Sequence, residues 1–365
     1  MRFPEFSGEW EKCTIGDFGN VITGNTPPTT DEENYDNGTR LWASPSDLGA
    51  TKYIESTQTL LSDKGFDKTR AFPANSILVT CIGSTIGKMG MSKTDMASNQ
   101  QINTIVPVLH NANFVYYAVQ SRFPRYLSSI AVQAVPILSK SSFEKLTNFT
   151  TSLKEQTKIG NLLSLIDERI DTQKKIIEKY ESLIRGLYHS IFNNPSSILQ
   201  LREVVSVVKG KQVNGEELLE EGKYYVMNGG TEPSGYLNEY NTPADTISIS
   251  EGGNSCGYVQ YNKEPFWSGG HCYSLMPKSE NICYRFLYHF LKYKENDIMA
   301  LRIGSGLPNI QKKDLERFEV QLPSLERQRE VTTLLDAISA KLDLEKQLHH
   351  IWQSQKQYLL GSLFI

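Results

Sequence analysis

The sequence lacks the features of several protein classes. It has no run of about 18 apolar residues that could span a membrane, and its first twelve residues contain no apolar signal-peptide core. Its five cysteines form no CxxC pair, which argues against a disulfide framework or a zinc ribbon. It has 38 basic against 41 acidic residues, whereas a stand-alone, non-specific DNA binder usually has a basic excess. We expect a soluble cytoplasmic protein whose affinity for any nucleic acid depends partly on partners.

Motifs of several enzyme classes are also missing. The segment at 83–88, GSTIGK, has three residues between its glycines and Met89 after its lysine, whereas a phosphate-binding loop needs four residues and then a Ser or Thr. The amino-methyltransferase motif of Asn or Asp, two prolines and an aromatic residue is absent. The Glu-x-Lys at 221–223 has no aspartate before it back to Asp171, as a nuclease would need. We expect neither catalytic residues nor a metal site in this chain.

The chain contains a long internal repeat. Residues 134–192 align without a gap on residues 306–364, at a shift of 172. Residues 73–107 align on residues 243–277, at a shift of 170. Matched positions include Pro136 and Pro308, Gln156 and Gln328, Leu162 and Leu334, Leu163 and Leu335, and Ile166 and Ile338. One unit, a globular module followed by a long helix, is therefore used twice.

Each globular module alternates short β-branched runs with turns rich in glycine, proline and asparagine. The runs predict strands at 76–80, 103–107, 202–208 and 246–250, and short helices at 114–123 and 284–293. We predict two repeated α+β (mixed α/β) modules with small twisted sheets at residues 1–150 and 194–322. A long helix follows each module, at residues 151–193 and 323–365.

Both long segments have an apolar stripe at heptad positions a, d and e, as at Ile159, Leu162 and Leu163 in the first copy. About 38 residues at about 1.5 Å each give about 55 Å, which is more than the width of a domain of about 150 residues. The alternative is two core helices, each packed on its own module. We expect instead an antiparallel coiled coil that holds the modules apart and offers its remaining stripe to further proteins.

This arrangement resembles the specificity subunit of type I restriction-modification systems, which act in phage defence. The resemblance rests on the repeated helix segments, the TGNTP loop at 23–27, the run PANSILVTCIGSTIGK at 73–88 and the LPSLERQ segment at 322–328. The first copy departs from the second in having Thr150-Thr151 where the second has Leu322-Pro323. The resemblance implies that each module is a target recognition domain reading one half of a split double-stranded DNA sequence. It implies that the helices set the spacer and bind two modification (methyltransferase) subunits.

The resemblance also places catalysis outside this chain. A methyltransferase subunit would transfer a methyl group from S-adenosylmethionine to adenine, and a restriction (motor-nuclease) subunit would cleave unmodified DNA. S-adenosylmethionine, ATP and magnesium are then expected in the partner subunits, and no cofactor is expected in this chain.

Base reading needs hydrogen-bonding side chains on loops that reach a groove edge. Candidates in the first module are Thr23, Asn25, Thr26, Ser84, Thr85, Lys88, Asn99 and Gln100. Candidates in the second are Lys209, Lys211, Gln212, Asn228, Thr231, Asn254, Ser255, Ser268 and His271. Each could instead be a solvated turn residue or make a local backbone hydrogen bond, and we expect about half to do so. A scaffold that recognises proteins or glycans is the alternative function.

Overall fold

The computed structural model describes residues 2–130, 137–193, 197–304 and 306–364. The chain forms two compact units, which we call the first unit (Met1–Lys175 with Lys346–Ile365) and the second unit (Ile176–Glu345). Each unit contains the bulk of one predicted module and part of both long helices. The module boundaries given above therefore stay predictions. Residues 194–196 at one boundary, and 134–136 of the repeat, lie outside the described residues.

The first unit is built mainly on small sheets. Its strands are β1 (Glu11–Thr14), β2 (Gly19–Thr23), β3 (Arg40–Ala43), β4 (Tyr53–Ile54), β5 (Thr59–Leu61), β6 (Ile77–Thr80), β7 (Met89–Ser92), β8 (Ala97–Ser98), β9 (Ile102–Pro107) and β10 (Thr147–Thr150). Its helices are α1 (Asp63–Asp67), α2 (Ala112–Ile130), α3 (Lys140–Glu144) and the first part of α4 (Leu153–Phe192). The sheet orders are β2-β9-β6-β7-β4, β5-β3-β8 and β1-β10.

The second unit continues the chain with a similar set of elements. Its strands are β11 (Ser197–Gln200), β12 (Val205–Lys209), β13 (Tyr224–Met227), β14 (Tyr236–Leu237), β15 (Thr246–Ser250), β16 (Val259–Asn262), β17 (Trp267–Ser268), β18 (Cys272–Pro277) and β19 (Glu319–Leu322). Its helices are α5 (Leu201–Val204), α6 (Tyr284–Tyr293), α7 (Glu295–Met299), α8 (Lys312–Glu316) and the first part of α9 (Leu325–Leu363). The sheet orders are β12-β18-β15-β16, β14-β13-β17 and β11-β19.

The two units have the same topology. The order β2-β9-β6-β7 in the first corresponds to β12-β18-β15-β16 in the second, and in each case all neighbours are antiparallel. The small sheets β5-β3-β8 and β14-β13-β17 also match, each with one antiparallel and one parallel pair. The α+β fold class and the twofold repeat are therefore confirmed. The first unit differs by β4, which extends its main sheet.

Equivalent apolar side chains build the main core of each unit. In both, the core joins the main sheet, the helix after β9 or β18, and the start of a long helix. These side chains are almost completely buried, so the repeat at a shift of 172 is explained by packing. The matched pairs are Phe114 and Phe286, Phe143 and Leu315, Ile159 and Val331, and Leu163 and Leu335.

The matched glutamines of the repeat fasten each module helix to a long helix. The Gln156 side chain accepts a hydrogen bond from the backbone N–H of Asn111 (3.0 Å) and donates to the carbonyl of Thr151 (2.7 Å). In the second unit, Gln328 accepts from the N–H of Cys283 (3.0 Å) and donates to Pro323 (2.8 Å). Both amides are buried, so these bonds satisfy backbone groups near helix starts that have no partner within the helix.

The long helices run in opposite directions within each unit, as predicted. In the first unit, the start of α4 and the end of α9 both lie near Phe114. A Cβ on Gly160 of α4 would lie 2.9 Å from the backbone N of Phe114, and the ring centroids of Phe114 and Phe364, which follows α9, are 5.5 Å apart. Farther along α4, Asp167 pairs with Lys356, earlier in α9 (2.6 Å). In the second unit, Tyr188 near the end of α4 and Asp336 near the start of α9 belong to one hydrogen-bonded cluster. Farther along α9, the pKa of Lys341 is raised mainly by Glu345 and also by Tyr180, which lies earlier in α4.

One strand prediction is partly wrong. Residues 202–208 were expected to form a single strand, but Leu201–Val204 is the short helix α5, and only Val205–Lys209 is a strand. The Glu203 carboxylate accepts a hydrogen bond from the backbone N–H of Gln200 (2.5 Å), which holds the turn, and Leu201 and Val204 are buried. The other predicted strands and both short helices are present. Among the described helices, none is long and apolar enough to cross a membrane.

Candidate nucleic-acid interface

Three loops meet at one end of the main sheet of the first unit. The register pairs Thr23 of β2 with Asn103 of β9, and Thr80 of β6 with Ile102 of β9. Because these strands are antiparallel, β2 and β6 end where β9 begins. Residues 24–27, 81–88 and 99–101 therefore lie side by side, and we call them the first loop end. In it, a Cβ on Gly83 would come within 3.8 Å of the Gln101 side chain.

The first loop end brings several predicted side chains together. The Thr26 hydroxyl donates to Oε1 of the Gln100 side chain (2.7 Å), and Gln100 is exposed. Thr23 donates to Asn103 (2.7 Å). Asn99 is 8% exposed, and its amide bonds to Gln101, so it supports the loop and is not at the surface. Thr26, the partner of Gln100, is half-buried.

The turn between β6 and β7 carries three further candidates. Ser84 and Lys88 are exposed and Thr85 is half-buried. The turn is closed by Gly83 and Gly87, both with positive φ (93° and 91°), a conformation that glycine adopts without strain. The aliphatic stem of Lys88 lies beside Gly49. The glycines of this segment therefore shape a turn that presents hydroxyl and ammonium groups.

Asn25 helps to position an arginine, Arg70, that the sequence analysis did not predict. Its amide donates to the carbonyl of Lys68 (2.9 Å) and accepts from the backbone N–H of Arg70 (2.7 Å). The exposed Arg70 guanidinium donates to the carbonyl of Thr23 (3.1 Å), which brings it beside the first loop end. Arg70 belongs to no motif and lies far from Asn25 along the chain, so no sequence pattern could have found it.

The second unit has an equivalent loop end. Residues 210–213, 251–258 and 269–271 lie side by side, because Lys209 pairs with Tyr273 and Ser250 with Cys272. We call them the second loop end. The backbone N–H of Lys211 donates to the backbone carbonyl of Ser268 (2.8 Å), just as the backbone N–H of Asn25 donates to the carbonyl of Ser98 (2.9 Å). The indole of Trp267 donates to the carbonyl of Lys211 (3.0 Å), as that of Trp42 does to Asn25 (3.0 Å).

The second loop end carries a different set of predicted side chains. Lys211, Gln212, Asn254 and His271 are exposed, and Ser255 is half-buried. The Asn228 amide accepts a hydrogen bond from the backbone N–H of His271 (3.2 Å), and Thr231 lies exposed three residues farther on. Ser268 is 1% exposed and, like Asn99 in the first unit, is not at the surface. Gln212 lies against Gly270, at the positions equivalent to Thr26 and Gln100.

Lys209 forms an ion pair with a buried carboxylate. Its ammonium group donates to Glu251 (2.7 Å), a buried carboxylate that also accepts from the hydroxyl of Tyr273 (2.9 Å). Burial and the neighbouring Glu251 raise the pKa of Tyr273, so its phenol stays a donor. Sequence reasoning missed Glu251 because a single carboxylate after a strand has no distinctive spacing.

The chemistry of both loop ends suits hydrogen-bond readout. They present amide, hydroxyl, ammonium and imidazole groups, which match the acceptors and donors on base edges in the major groove. Among residues 2–130, 137–193, 197–304 and 306–364, no three His, Cys, Asp or Glu side chains are placed to hold a metal ion. The geometry thus provides two similar frames with different polar side chains.

The chain is similar to known proteins along most of its length. The family model described as type I restriction modification DNA specificity domain matches residues 7–182 and 195–350. The type I restriction enzyme MjaVIII specificity subunit of Methanocaldococcus jannaschii is 24% identical over 412 aligned residues, covering 100% of this chain and 93% of that protein. A Mycoplasma genitalium protein assigned as a type I specificity subunit is 28% identical over 301 residues, covering 77% and 78%.

A solved structure has the same fold. The crystal structure of a type I restriction-modification system S subunit from M. genitalium matches with a TM-score of 0.77 and 24% identity, covering 98% of this chain and 96% of that one. The family model covers well over half of the chain, in two copies that follow the internal repeat. The chain therefore belongs to the family of type I restriction-modification DNA specificity domains.

Proposed function

We propose that this chain is the specificity subunit of a type I complex and that each loop end reads one half of a bipartite DNA target. The observation that carries the proposal is that the two loop ends share a backbone frame but differ in side chains. Thr26 and Gln100 in the first unit correspond to Gln212 and Gly270 in the second. Two equal frames with unequal side chains suit the recognition of two different half-sites. In this reading the modules are residues 1–150 and 194–322.

The long helices, at residues 151–193 and 323–365, then set the spacer and dock two modification subunits. Exposed apolar side chains on these helices support docking, because apolar side chains left in water favour burial against a partner. In the first unit, Ile351 and Tyr358 of α9 are 58% and 64% exposed, and Leu165 of α4 is 61% exposed. In the second unit, Leu344 of α9 is 58% exposed. The spacing of Ile351 and Tyr358 by seven residues gives one helix face.

Catalysis belongs to partner subunits in this proposal. The modification subunits methylate adenine with S-adenosylmethionine, and the restriction subunits cleave unmodified DNA with ATP and magnesium. This chain needs no cofactor for base recognition. Its slight acidic excess suits a reader whose partners contribute phosphate contacts, which supply most of the salt-dependent affinity.

Selection from random-sequence DNA tests the function. The chain is mixed with its modification subunit, bound DNA is recovered and sequenced, and the expected result is a split consensus with a fixed spacer. The chain without the modification subunit is the control. Absence of any split consensus would contradict the proposal and favour the scaffold alternative.

Insertion of one heptad into each long helix tests the spacer. Seven residues add about 10 Å of helix, which corresponds to about three base pairs. We expect a longer spacer between unchanged half-sites. Substitution of seven exposed residues, without insertion, is the matched control. Altered half-sites with an unaltered spacer would contradict this part of the proposal.

A further inference from the structure

A group of three side chains under each loop end differs sharply between the units. It consists of the last residue of β2 or β12, the first residue after β6 or β15, and the second residue of β9 or β18. In the first unit these are Thr23, Cys81 and Asn103, all neutral. Burial raises the pKa of the Cys81 thiol to about 12, so it stays protonated. In the second unit the same positions hold Lys209, Glu251 and Tyr273.

Glu251 is fixed from several sides. Its backbone N–H donates to the carbonyl of His271 (2.9 Å), and its own carbonyl accepts from the N–H of Ile310 (2.8 Å). Its Oε1 accepts from Lys209 (2.7 Å) and Tyr273 (2.9 Å). The carboxylate therefore has a defined position beneath the second loop end.

The other carboxylate oxygen of Glu251 is buried and accepts no hydrogen bond from any described residue. The Nδ1 atom of the exposed His271 is 3.9 Å from it, beyond hydrogen-bond distance. A buried carboxylate costs free energy unless its charge is paired. Lys209 supplies that charge, while its side chain remains 54% exposed. Lys209 can therefore reach solvent while Glu251 holds its ammonium group.

A fixed carboxylate restricts where this ammonium group can go. Glu251 uses one of the three N–H donors of Lys209 and leaves two. Its negative charge also makes a nearby phosphate unfavourable, since like charges repel. Guanine O6 and N7 in the major groove are neutral acceptors that Lys commonly contacts. The pair is thus arranged to favour a base edge over a phosphate.

We propose that Glu251 is a positioning residue that holds Lys209 for contact with a base edge in the half-site read by the second unit. This inference rests on the proposed function of the loop ends. Glu251 acts through Lys209 and does not itself touch DNA. The first unit reads its half-site without such a pair, because its equivalent group is neutral.

The substitution Glu251→Gln tests the proposal, since it keeps the size of the side chain and removes the charge. Selection with the modification subunit present should show discrimination at one position of the second half-site reduced about tenfold, as expected for one lost base contact. The released Lys209 can then pair with a phosphate. Affinity for non-specific DNA should therefore rise, and the slope of log affinity against log salt should steepen by about one. The first half-site should not change.

Two further variants keep the test decisive. Glu330→Gln removes one negative charge from an exposed pair with Arg327 (3.0 Å), and should leave discrimination unchanged. The double variant Lys209→Met, Glu251→Gln removes both charges. It should lose the same discrimination without the steeper salt slope.

Unchanged discrimination at every position of the second half-site in Glu251→Gln would overturn the proposal. An equal loss of affinity for all DNA sequences would also overturn it, because that is the result of a purely structural role. Failure of the proposed function would look different. In that case the unsubstituted chain itself would give no split consensus.

Discussion

The two units join their module helix to the long helices through different polar clusters. In the first unit, Tyr117 of α2 donates to Asp167 of α4 (2.6 Å), and Asp167 pairs with Lys356 of α9. Lys52 lies in the same cluster, 3.2 Å from the Tyr117 hydroxyl, and also donates to Ser164 (2.7 Å). Module, central helix and last helix are thus connected through one carboxylate.

In the second unit, His289 of α6 occupies the position equivalent to Tyr117. It bonds to Asp336 of α9 (2.7 Å) and to the hydroxyl of Tyr188 of α4 (2.9 Å). Arg285 also pairs with Asp336. Burial lowers the pKa of His289. A neutral ring with Nε2–H donating to Asp336 leaves Nδ1 to accept from Tyr188.

The repeat thus preserves the frame while the chemistry within it changes. At a shift of 172, Ser164 and Asp167 correspond to Asp336 and Ser339, so hydroxyl and carboxylate have exchanged places one helical turn apart. The chemistry also changes within a preserved frame at the loop ends, where the hydroxyl of Thr23 is replaced by the ammonium group of Lys209. Matched core positions such as Phe143 and Leu315 stay apolar because both are buried in the core of their unit. Polar groups diverge as long as each cluster satisfies its own hydrogen bonds.

Removal of the carboxylate from each cluster should give the largest difference between the two units in the free energy of unfolding. We expect Asp167→Ala to lower the free energy of unfolding of the first unit by about 3 kcal/mol, because it leaves Lys356, whose side chain is only 16% exposed, without its partner. Asp336→Ala, which removes the carboxylate of the second cluster, should cost the second unit only about 1 kcal/mol, because Asp336 is 33% and Arg285 27% exposed, against 11% and 16% for Asp167 and Lys356.

Urea unfolding followed by tryptophan fluorescence measures both costs. Trp10, Trp42 and Trp352 report on the first unit, and Trp267 reports on the second. Asp167→Asn, which keeps an acceptor for Tyr117, is the matched control and should cost less than Asp167→Ala. Equal costs for Asp167→Ala and Asp336→Ala would show that burial does not distinguish the two clusters.

Alanine substitutions at the two matched turn glycines should differ less in their effect on the free energy of unfolding. Gly87 and Gly257 have φ of 91° and 94°, so alanine at either is strained by about 1–3 kcal/mol. A Cβ on Gly257 would lie 2.8 Å from the Cα of Met299, whereas on Gly87 it would lie 2.7 Å from the ring of Phe123. Because a side chain can move and a helix backbone cannot, we expect Gly257→Ala to cost about 1 kcal/mol more. The same urea experiment measures it, and Gly361→Ala, where nothing lies within 4 Å, is the control.

Removal of Arg70 should weaken one half-site only. If Arg70 contacts DNA from the first loop end, Arg70→Ala should reduce affinity for the complete target about tenfold and leave the second half-site preference unchanged. Arg40→Ala removes an arginine that stacks on Phe66 (4.1 Å) and is the control for lost charge. Measurement of affinity on targets mutated in either half distinguishes the two. Equal losses for both variants would contradict a specific role of Arg70.

Lys52 should give the smallest effect, seen as a pH dependence. Burial lowers its pKa to about 8, with Asp167 opposing, so the unfolded chain binds this proton more tightly above that pH. Stability of the first unit should therefore rise by about 1 kcal/mol between pH 8 and 9, relative to a Lys52→Met variant. The difference between the two proteins removes the contribution of other groups. No difference in pH dependence would mean that Lys52 titrates at its ordinary pKa.

The sequence predicted the frame better than the site. Periodic apolar positions such as Leu163 and Leu335 indicated the helices, since burial on one face leaves a regular pattern. The alignment at a shift of 170 also placed Gly83 and Gly253 in equivalent turns. Asn99 and Ser268 could not be recognised as buried, because their exposure depends on strands that are distant in the chain. Arg70 and Glu251 were missed because neither belongs to a motif with a recognisable spacing.

A comparison of variants in the first and the second loop end tests most directly the central claim, that each unit reads one half-site. Two double variants are compared by selection of bound DNA with the modification subunit present: Thr26→Ala with Gln100→Ala, and Lys211→Ala with Gln212→Ala. We predict that the first alters only one half of the split consensus, that the second alters only the other half, and that the spacer is the same in both. If either variant altered both halves, or both altered the same half, the assignment of one half-site to each unit would be contradicted.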